Sequence, residues 1–252
     1  MDIATRMKMY EKEQETYLNT YKPTIARIDG RSFHTFCKGL HKPFDVNLIV
    51  LMITTTEFLV REFQPVVGYT QSDEITLVWK TSPTMFSGRV QKLVSVLASA
   101  CTSYFAMNRE FLPSRQRSLY PTFDCRIFNV PDLEEAANNL RWRQEDAIKN
   151  SISATAHAYF KHSAVLGKDS SQQLEMLRNI GVEWDSFPVG YKRGYYVARR
   201  NVIRTFTPKE IELLPRKHAA RRNPNLQYTR SEVGELDLPL DFDVKEFFND
   251  ID

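Results

Sequence analysis

The order of short apolar runs between residues 24 and 130 constrains this chain most. Thr24-Ile-Ala-Arg-Ile-Asp29 is a β-type run that stops at the turn signal Asp29-Gly30. Leu48, Leu51, Met52, Phe58 and Leu59 recur at helical spacing and predict a helix over 44–63. Val66-Val-Gly-Tyr-Thr70 and Glu74-Ile-Thr-Leu-Val-Trp79 flank Gln71-Ser72-Asp73, which predicts a hairpin. Residues 86–105, rich in Val, Leu and Ala, predict a close-packed helix, and Thr122-Phe-Asp-Cys-Arg-Ile-Phe128 a further strand. Strand, helix, strand, strand, helix, strand is the α+β, ferredoxin-like βαββαβ arrangement. Nucleotide polymerases and nucleotide cyclases use it as their palm. It predicts two helices on one sheet face and leaves the other face free for a ligand. Fold alone does not give function.

Around this unit, Glu, Lys and Gln with Met and Tyr at rough helical spacing predict an N-terminal helix over 1–21, ended by Pro23. Pro131-Asp132 followed by Glu135 reads as a capped helix start, and the helical pattern then runs, with room for a break, to about Phe160. The domain reading is a palm-like catalytic part over 1–135, with the N-terminal helix. A helical, basic, RNA-contacting part with an acidic tail follows over 136–252, the two forming one integrated unit.

Charge supports a polyanion partner. The formal net charge is only +3, but residues 191–230 hold eleven Lys and Arg against Glu210 and Glu212. Residues 231–252 reverse this, with eight acids against Lys245. A basic block beside a balanced body is the footprint of a nucleic-acid binder, or of an ordinary solvated surface. Tyr191, Tyr195, Tyr196 and Tyr228 interleave the block and would either stack on bases or pack the palm's edge. The acidic tail would be solvated or would cover basic surface when RNA is absent. Cys37, Cys101 and Cys125 have no paired spacing, which suits a reducing cytoplasm and gives no zinc or disulfide framework. No signal peptide is legible, and the apolar stretch over 46–60 is broken by Asn47 and three threonines. The expectation is a soluble cytoplasmic protein with no membrane partner.

In the predicted topology the end of the first strand lies beside the hairpin turn. This would bring Asp29 next to Asp73 and Glu74. Carboxylates on adjacent strands repel unless a cation neutralises them, and hard oxygen ligands of this kind suit Mg²⁺ bound together with substrate phosphates. Gly30 would let its carbonyl approach a metal. Two such ions would activate a hydroxyl and stabilise a leaving pyrophosphate. Taken singly, an Asp-Gly turn and an acidic hairpin tip are more often structural. There is no Walker-type or Rossmann glycine loop. Triphosphate ligands would therefore be individual cations: Arg31, Lys42, Arg89, Lys92 and Arg126. Phe33 and Phe36, beside His34, would either form a core edge or stack on a base.

Arg27-Ile-Asp-Gly-Arg-Ser-Phe-His-Thr-Phe36, Lys42-Pro43 and Tyr69-Thr-Gln-Ser-Asp-Glu74 resemble the tRNA histidine guanylyltransferase family. Pro121-Thr-Phe-Asp-Cys-Arg126, Trp142-Arg-Gln-Glu-Asp146 with Asn150, and Tyr191-Lys-Arg-Gly194 fit the same pattern in the same order. The resemblance implies a reverse polymerase that adds nucleotides to the 5′ end of tRNA, using Mg²⁺ with ATP, GTP or other nucleoside triphosphates. It implies that Asp29, Gly30 and Asp73 hold metal, with Glu74 the acidic residue beside them. Arg31, Ser32, Phe33, His34, Lys42, Asp45, Ser72 and Arg126 fall on nucleotide-contact positions. Asn150 and Lys192 fall in motifs linked to nucleotide or tRNA-end binding. The Trp142-Arg-Gln segment would hold the architecture, with Arg143 able to meet a phosphate. With Arg193, Arg199 and Arg200 of the basic block, these form the implied tRNA contacts. The family forms homotetramers built as dimers of dimers.

One segment departs. Enzymes dedicated to histidine tRNA read His-Ile-Asn-Asn-Leu-Tyr-Asn after Trp-Arg-Gln, whereas this chain has Ile148-Lys-Asn-Ser-Ile-Ser-Ala154. The departure resembles the bacterial, archaeal and phage guanylyltransferase-like branch, which implies template-directed repair of 5′-truncated tRNA. Dedicated guanosine addition to histidine tRNA is the alternative. A cyclase would share the palm but not Gln71-Ser-Asp-Glu-Ile75, and a non-catalytic RNA-binding module would need only the basic block.

Overall fold

The computed structural model describes residues 1–236 and Phe248. Six antiparallel strands form one sheet in the order β4-β1-β3-β2-β5-β6. They are β1 Thr24–Gly30, β2 Val67–Gln71, β3 Glu74–Trp79, β4 Phe123–Asn129, β5 Tyr195–Thr205 and β6 Gln227–Leu236. Helices α1 Ile3–Glu13, α2 Phe33–Phe36, α3 Val46–Phe63, α4 Val90–Met107 and α5 Ser114–Ser118 precede β4. After it come α6 Leu133–Tyr159, α7 His162–Val165, α8 Ser170–Arg178, α9 Val189–Arg193 and α10 Pro208–Leu213. The βαββαβ order of the palm is therefore present as β1-α3-β2-β3-α4-β4.

Side chains alternate across the strands, so each strand feeds two cores. Ala26, Ile28, Ile75, Leu77, Phe123 and Ile127 meet α3 and α4 through Leu51, Leu59, Leu93, Leu97 and Phe105. Ile25, Val67, Tyr69, Val78, Tyr196 and Ala198 form the other core, with Ala136, Ala137 and Leu140 of α6. The second face is thus not left free, as the two-helix reading expected. The 27-residue α6 covers it without a break, starting from Asp132, whose carboxylate accepts from Glu135 N. Alanines at its start let the helix approach the sheet closely, and each fully buried Leu, Ile or Val contributes about 1.5–3 kcal/mol. Any ligand is thereby directed to the ends of the sheet.

Two findings differ further from the sequence reading. The N-terminal helix is Ile3–Glu13, with no buried residue, and Leu18 N then donates to Gly88 O at 2.9 Å. The basic region contributes strands as well as helices: β5 pairs with β2 from Val67↔Ala198 to Thr70↔Tyr195, and β6 pairs with β5. Glu232 and Glu235 of the acidic segment lie on β6, while residues 237–247 and 249–252 lie outside the described residues. Among the described residues no helix is long and apolar enough to cross a membrane.

Gly68 marks the closest approach of α3 to β2. A Cβ there would stand 2.6 Å from Thr56 Cγ2 and 3.0 Å from Val60 Cγ2, both on a helix fixed by its own packing. Gly68→Ala is expected to destabilise the protein by about 1–3 kcal/mol through overpacking, read as a lowered midpoint in chemical denaturation.

Candidate active site

The β2–β3 turn builds the site. Gln71 pairs with Glu74, so Ser72 and Asp73 form a two-residue turn, and Ser72 takes the left-handed conformation at φ 51°. Across the next ladder Asp29 is registered opposite Glu74, and Gly30 N donates to Asp73 O at 3.1 Å. Partners in register share a face, so Asp29 and Glu74 project together, with Asp73 one residue away. Gly30 is required for a reason of packing: a Cβ there would collide with the Phe33 ring.

The three carboxylates differ in their partners. Arg143 of α6 forks onto Glu74, with Nε to Oε1 at 2.6 Å and Nη2 to Oε2 at 2.9 Å. Its Nη2 also donates to Asp146 at 2.9 Å, and the guanidinium lies 4.5 Å from the Trp142 ring centroid. Arg27 adds a second cation 3.9 Å from Glu74. Desolvation works against the Arg143 charge, yet the bonds to Glu74 prevail and hold it firmly protonated. Among the described residues Asp29 and Asp73 form no ion pair. Burial pushes the Asp73 carboxyl up; the Asp29 charge adds to this, and the Ser72 hydroxyl, donating at 3.1 Å, opposes it. An uncompensated pair of oxygen ligands, one of them desolvated, beside a glycine carbonyl fits a hard divalent cation. No group of three His, Cys, Asp or Glu among the described residues is placed to hold a metal. Such a cation would therefore complete its shell from substrate phosphates or water, as Mg²⁺ does.

Asp73 also lines a cleft of about 440 Å³, within the range of small-molecule sites. Lys42, Asp45 and Ser72 lie along it with Asn150, His157 and Tyr191. Asp45 is held by use as a helix cap: its carboxylate accepts from Leu48 N and from His41 N, each at 3.1 Å. Tyr191 donates to Ser151 O at 3.0 Å, which fixes α9 against α6.

Four residues of the sequence reading thus gather with Asp73: Lys42, Asp45, Ser72 and Asn150. Arg31, Ser32 and His34 lie just beyond Gly30, exposed, and Arg126 is exposed on β4; none lines the cleft. Several assignments need correction. Arg89 and Lys92 begin α4 at the opposite end of the sheet, where Arg89 pairs with Glu15 at 3.3 Å; β1 separates them from Asp29 by roughly 15–20 Å of strand. The Phe33 ring is buried between Phe36, Phe105 and Phe123, so it is core and cannot stack on a base. Arg143 is buried on Glu74 and not on an RNA-facing surface. Lys192 is likewise buried, donating to Asp185 O at 2.6 Å. Arg193 is half-buried, its carbonyl accepting from the Tyr69 hydroxyl, whereas Arg199 and Arg200 are exposed on β5. Tyr196 is buried, Tyr195 and Tyr191 line the cleft, and Tyr228 stacks on Phe206. The sequence reading passed over His157 and Cys37 in the cleft, and Asp124, which stands opposite Asp29 on β4. Only the last had a signal, through its place in the strand beside Arg126.

Comparison with known proteins bears on this geometry. The family described as Thg1, tRNAHis guanylyltransferase, matches residues 4–131. A bacterial Thg1-like protein solved in complex with ATP is 35% identical, with a TM-score of 0.72 over 78% of this chain and 88% of that one. A second, in complex with GTP, is 29% identical with a TM-score of 0.67, covering 92% and 90%. The tRNA(His) guanylyltransferase of Schizosaccharomyces pombe is 30% identical over 207 residues, covering 75% of this chain and 77% of its own.

Removing one partner of the buried fork leaves a stranded charge. Arg143→Ala is expected to lower stability by about 3–5 kcal/mol in chemical denaturation, and Arg143→Lys by less. Asp73 behaves oppositely. Its folded-state value lies above the ordinary 3.8 of the unfolded chain, so its charge withdraws stability as pH rises from 3.8 through the folded value. Asp73→Asn should therefore raise the melting temperature of metal-free protein at neutral pH, an advantage that vanishes as pH falls toward 3.8.

Proposed function

Since the chain belongs to the tRNA(His) guanylyltransferase family of 3′–5′ nucleotidyltransferases, we propose that it repairs 5′-truncated tRNA by template-directed addition of nucleotides. The observation that carries this reading is the Asp29–Asp73 pair, which forms no ion pair among the described residues and stands at the edge of a nucleotide-sized cleft. Asp29, Asp73 and the Gly30 carbonyl would hold Mg²⁺, two ions in this reading. Bound there, the metal supplies charge neutralisation and a lowered pKa for the attacking hydroxyl.

Phosphoryl transfer asks the protein for position and electrostatics, not for a nucleophilic side chain. In the cleft, Lys42 and the Ser72 hydroxyl would meet the triphosphate of the incoming nucleotide, and Asn150 and Tyr191 its sugar and base. The 3′ hydroxyl of that nucleotide attacks the 5′ phosphate of the RNA. AMP leaves when ATP has adenylylated a 5′ monophosphate, and pyrophosphate leaves when the end is a triphosphate. Arg31 and Arg126, exposed beyond Gly30, are the cations available to the RNA phosphate. Glu74 acts by holding the turn through Arg143.

Template-directed repair is favoured over dedicated guanosine addition by the cleft wall on α6. Ser151 and Ala154 line the cleft where histidine-tRNA enzymes carry asparagines. The Ser151 hydroxyl is already spent on Ile148 O at 2.8 Å, and Ala154 offers only a methyl group. With those two asparagines replaced, base selection would rest more on pairing with the opposing strand. A homotetramer in the cytoplasm, with the basic ribbon of β5 and β6 on tRNA, completes the proposal.

The deciding assay supplies Mg²⁺, ATP and the four nucleoside triphosphates to tRNA transcripts lacking the first nucleotide, with 5′-monophosphate or 5′-triphosphate ends. One-nucleotide extension matched to the opposing base is expected, with loss of at least a hundredfold in rate for Asp29→Ala and Asp73→Ala, of the order seen for a lost electrostatic stabiliser. Unmatched guanosine addition to histidine tRNA alone would establish the dedicated activity instead. Tight tRNA binding with no extension of any end would leave a binding module.

A further inference from the structure

The carboxylate pair has two flanks, and the nucleotide cleft occupies one. The other is formed where Arg31 N donates to Thr122 O at 2.9 Å, joining the residue after Gly30 to the segment that carries α5. That segment is held rigidly from within. Gln116 is fully buried, and its side-chain amide donates to Phe36 O and Lys38 O, each at 2.9 Å. Arg109 reaches back to Leu119 O at 2.5 Å and to Gln116 O at 3.3 Å.

The outward side of this fixed loop has the opposite character. Arg31, Lys38 and Arg117 are exposed and make no ion pair among the described residues, and Arg115 is exposed, its Nε donating to Lys38 O at 3.1 Å. Tyr120 is 93% exposed, two residues before the junction with Arg31. Among the described residues the internal network makes no use of the Tyr120 ring or of the Arg31, Lys38 and Arg117 charges; Glu110 is the acid within the loop, and Asp124 follows on β4. Cations around an open aromatic ring, on a backbone ordered in advance, match single-stranded nucleic acid. Phosphates meet the cations, and an unpaired base offers its face to the ring. A duplex presents no free base faces along its length, so the ring favours unpaired nucleotides.

We propose that the α5 loop, with Arg31 and Lys38, is a docking platform for the unpaired nucleotides that adjoin the reacting 5′ end of the RNA substrate. In a tRNA these are the single-stranded 3′ tail beside the acceptor stem. The assignment rests on the function proposed above. It adds a second RNA contact, separate from the β5–β6 ribbon, on the flank of Asp29 away from the nucleotide. Seizing the tail there would place the paired 5′ end over the carboxylates, with the incoming nucleotide reaching it from the cleft.

The test compares a tRNA transcript carrying its 3′ tail with the same transcript trimmed to a blunt acceptor stem. Binding to the full chain is followed by fluorescence anisotropy across a salt series. Tyr120→Ala should weaken binding of the tailed transcript roughly fivefold or more, the loss expected for one stacked base. The double variant Lys38→Ala/Arg117→Ala should flatten its salt slope by about 1.4, as for two single-strand phosphate contacts. Neither variant should change binding of the blunt transcript. Equal losses on both transcripts would assign the platform to the duplex, and no loss on either would remove it from RNA binding; both overturn the proposal. Extension by the unaltered protein is scored on the same transcripts. A binding contrast without extension would defeat the proposed function and leave the platform, and extension without a contrast would do the reverse.

Discussion

The fork of Arg143 on Glu74 is the contact on which the site depends. Glu74 opens β3 directly after Asp73 and stands opposite Asp29, so without a partner it would be a third like charge in a partly desolvated space. A buried carboxylate in that position is tolerated only if its charge is met and its oxygens are hydrogen-bonded. Arg143 does both, and Arg27 supports it. The consequence is a division of labour among three adjacent acids. One is spent on structure, and the two that form no ion pair among the described residues are the ones proposed to hold a cation.

The same helix carries the rest of the site. α6 covers the second sheet face through Ala136, Ala137 and Leu140, grips Glu74 one turn later, and walls the cleft with Asn150, Ser151 and His157. It then fixes α9 through the Tyr191 hydroxyl, which meets both Ser151 O and Thr155. Tyr69 of β2 donates to Arg193 O at 2.7 Å, tying the start of β5 to the palm. A shift of α6 along its axis would therefore move the carboxylate turn and the cleft wall together. That explains why a helix with so little apolar sequence is unbroken over its whole length: its position is set by polar anchors on two sides as well as by its buried alanines.

Much of this was legible in the sequence where burial imposes a period. The helices α3 and α4 each bury a face and their apolar residues repeat accordingly, while β2 and β3 are buried on both faces and read as short continuous β-type runs between turn signals. Asp29 beside Asp73 followed from the topology alone. What escaped reading has three physical causes. Beyond Ala198, β5 lies mostly exposed, so Arg199, Arg200, Asn201 and Arg204 carry no alternating signal and the ribbon looks like a basic loop. A sequence also shows a charge without its partner. Arg143 and Lys192 therefore resembled RNA contacts, although one is committed to Glu74 and the other to the Asp185 carbonyl. Finally, a helix start does not announce which end of the sheet it occupies, and Arg89 and Lys92 lie at the end away from Asp29.

The placement of cations follows one rule across the molecule. Arg143 and Arg27 stand within 4 Å of Glu74, yet no Lys or Arg forms an ion pair with Asp29 or Asp73 among the described residues. The exposed Lys42, Arg31 and Arg126 occupy the surroundings instead. A basic side chain paired to either carboxylate would satisfy it permanently and exclude a metal. Cations held farther off leave the carboxylates electrostatically incomplete while still attracting polyphosphate and RNA. Burial of an unpaired carboxylate carries a stability penalty in the free protein, seen in Asp73: burial pushes its carboxyl up, and the Asp29 charge adds to this. In the proposed function, a cation arriving with its phosphate ligands would relieve that penalty. On that proposal, the same arrangement that weakens the metal-free fold would make substrate and metal binding mutually reinforcing.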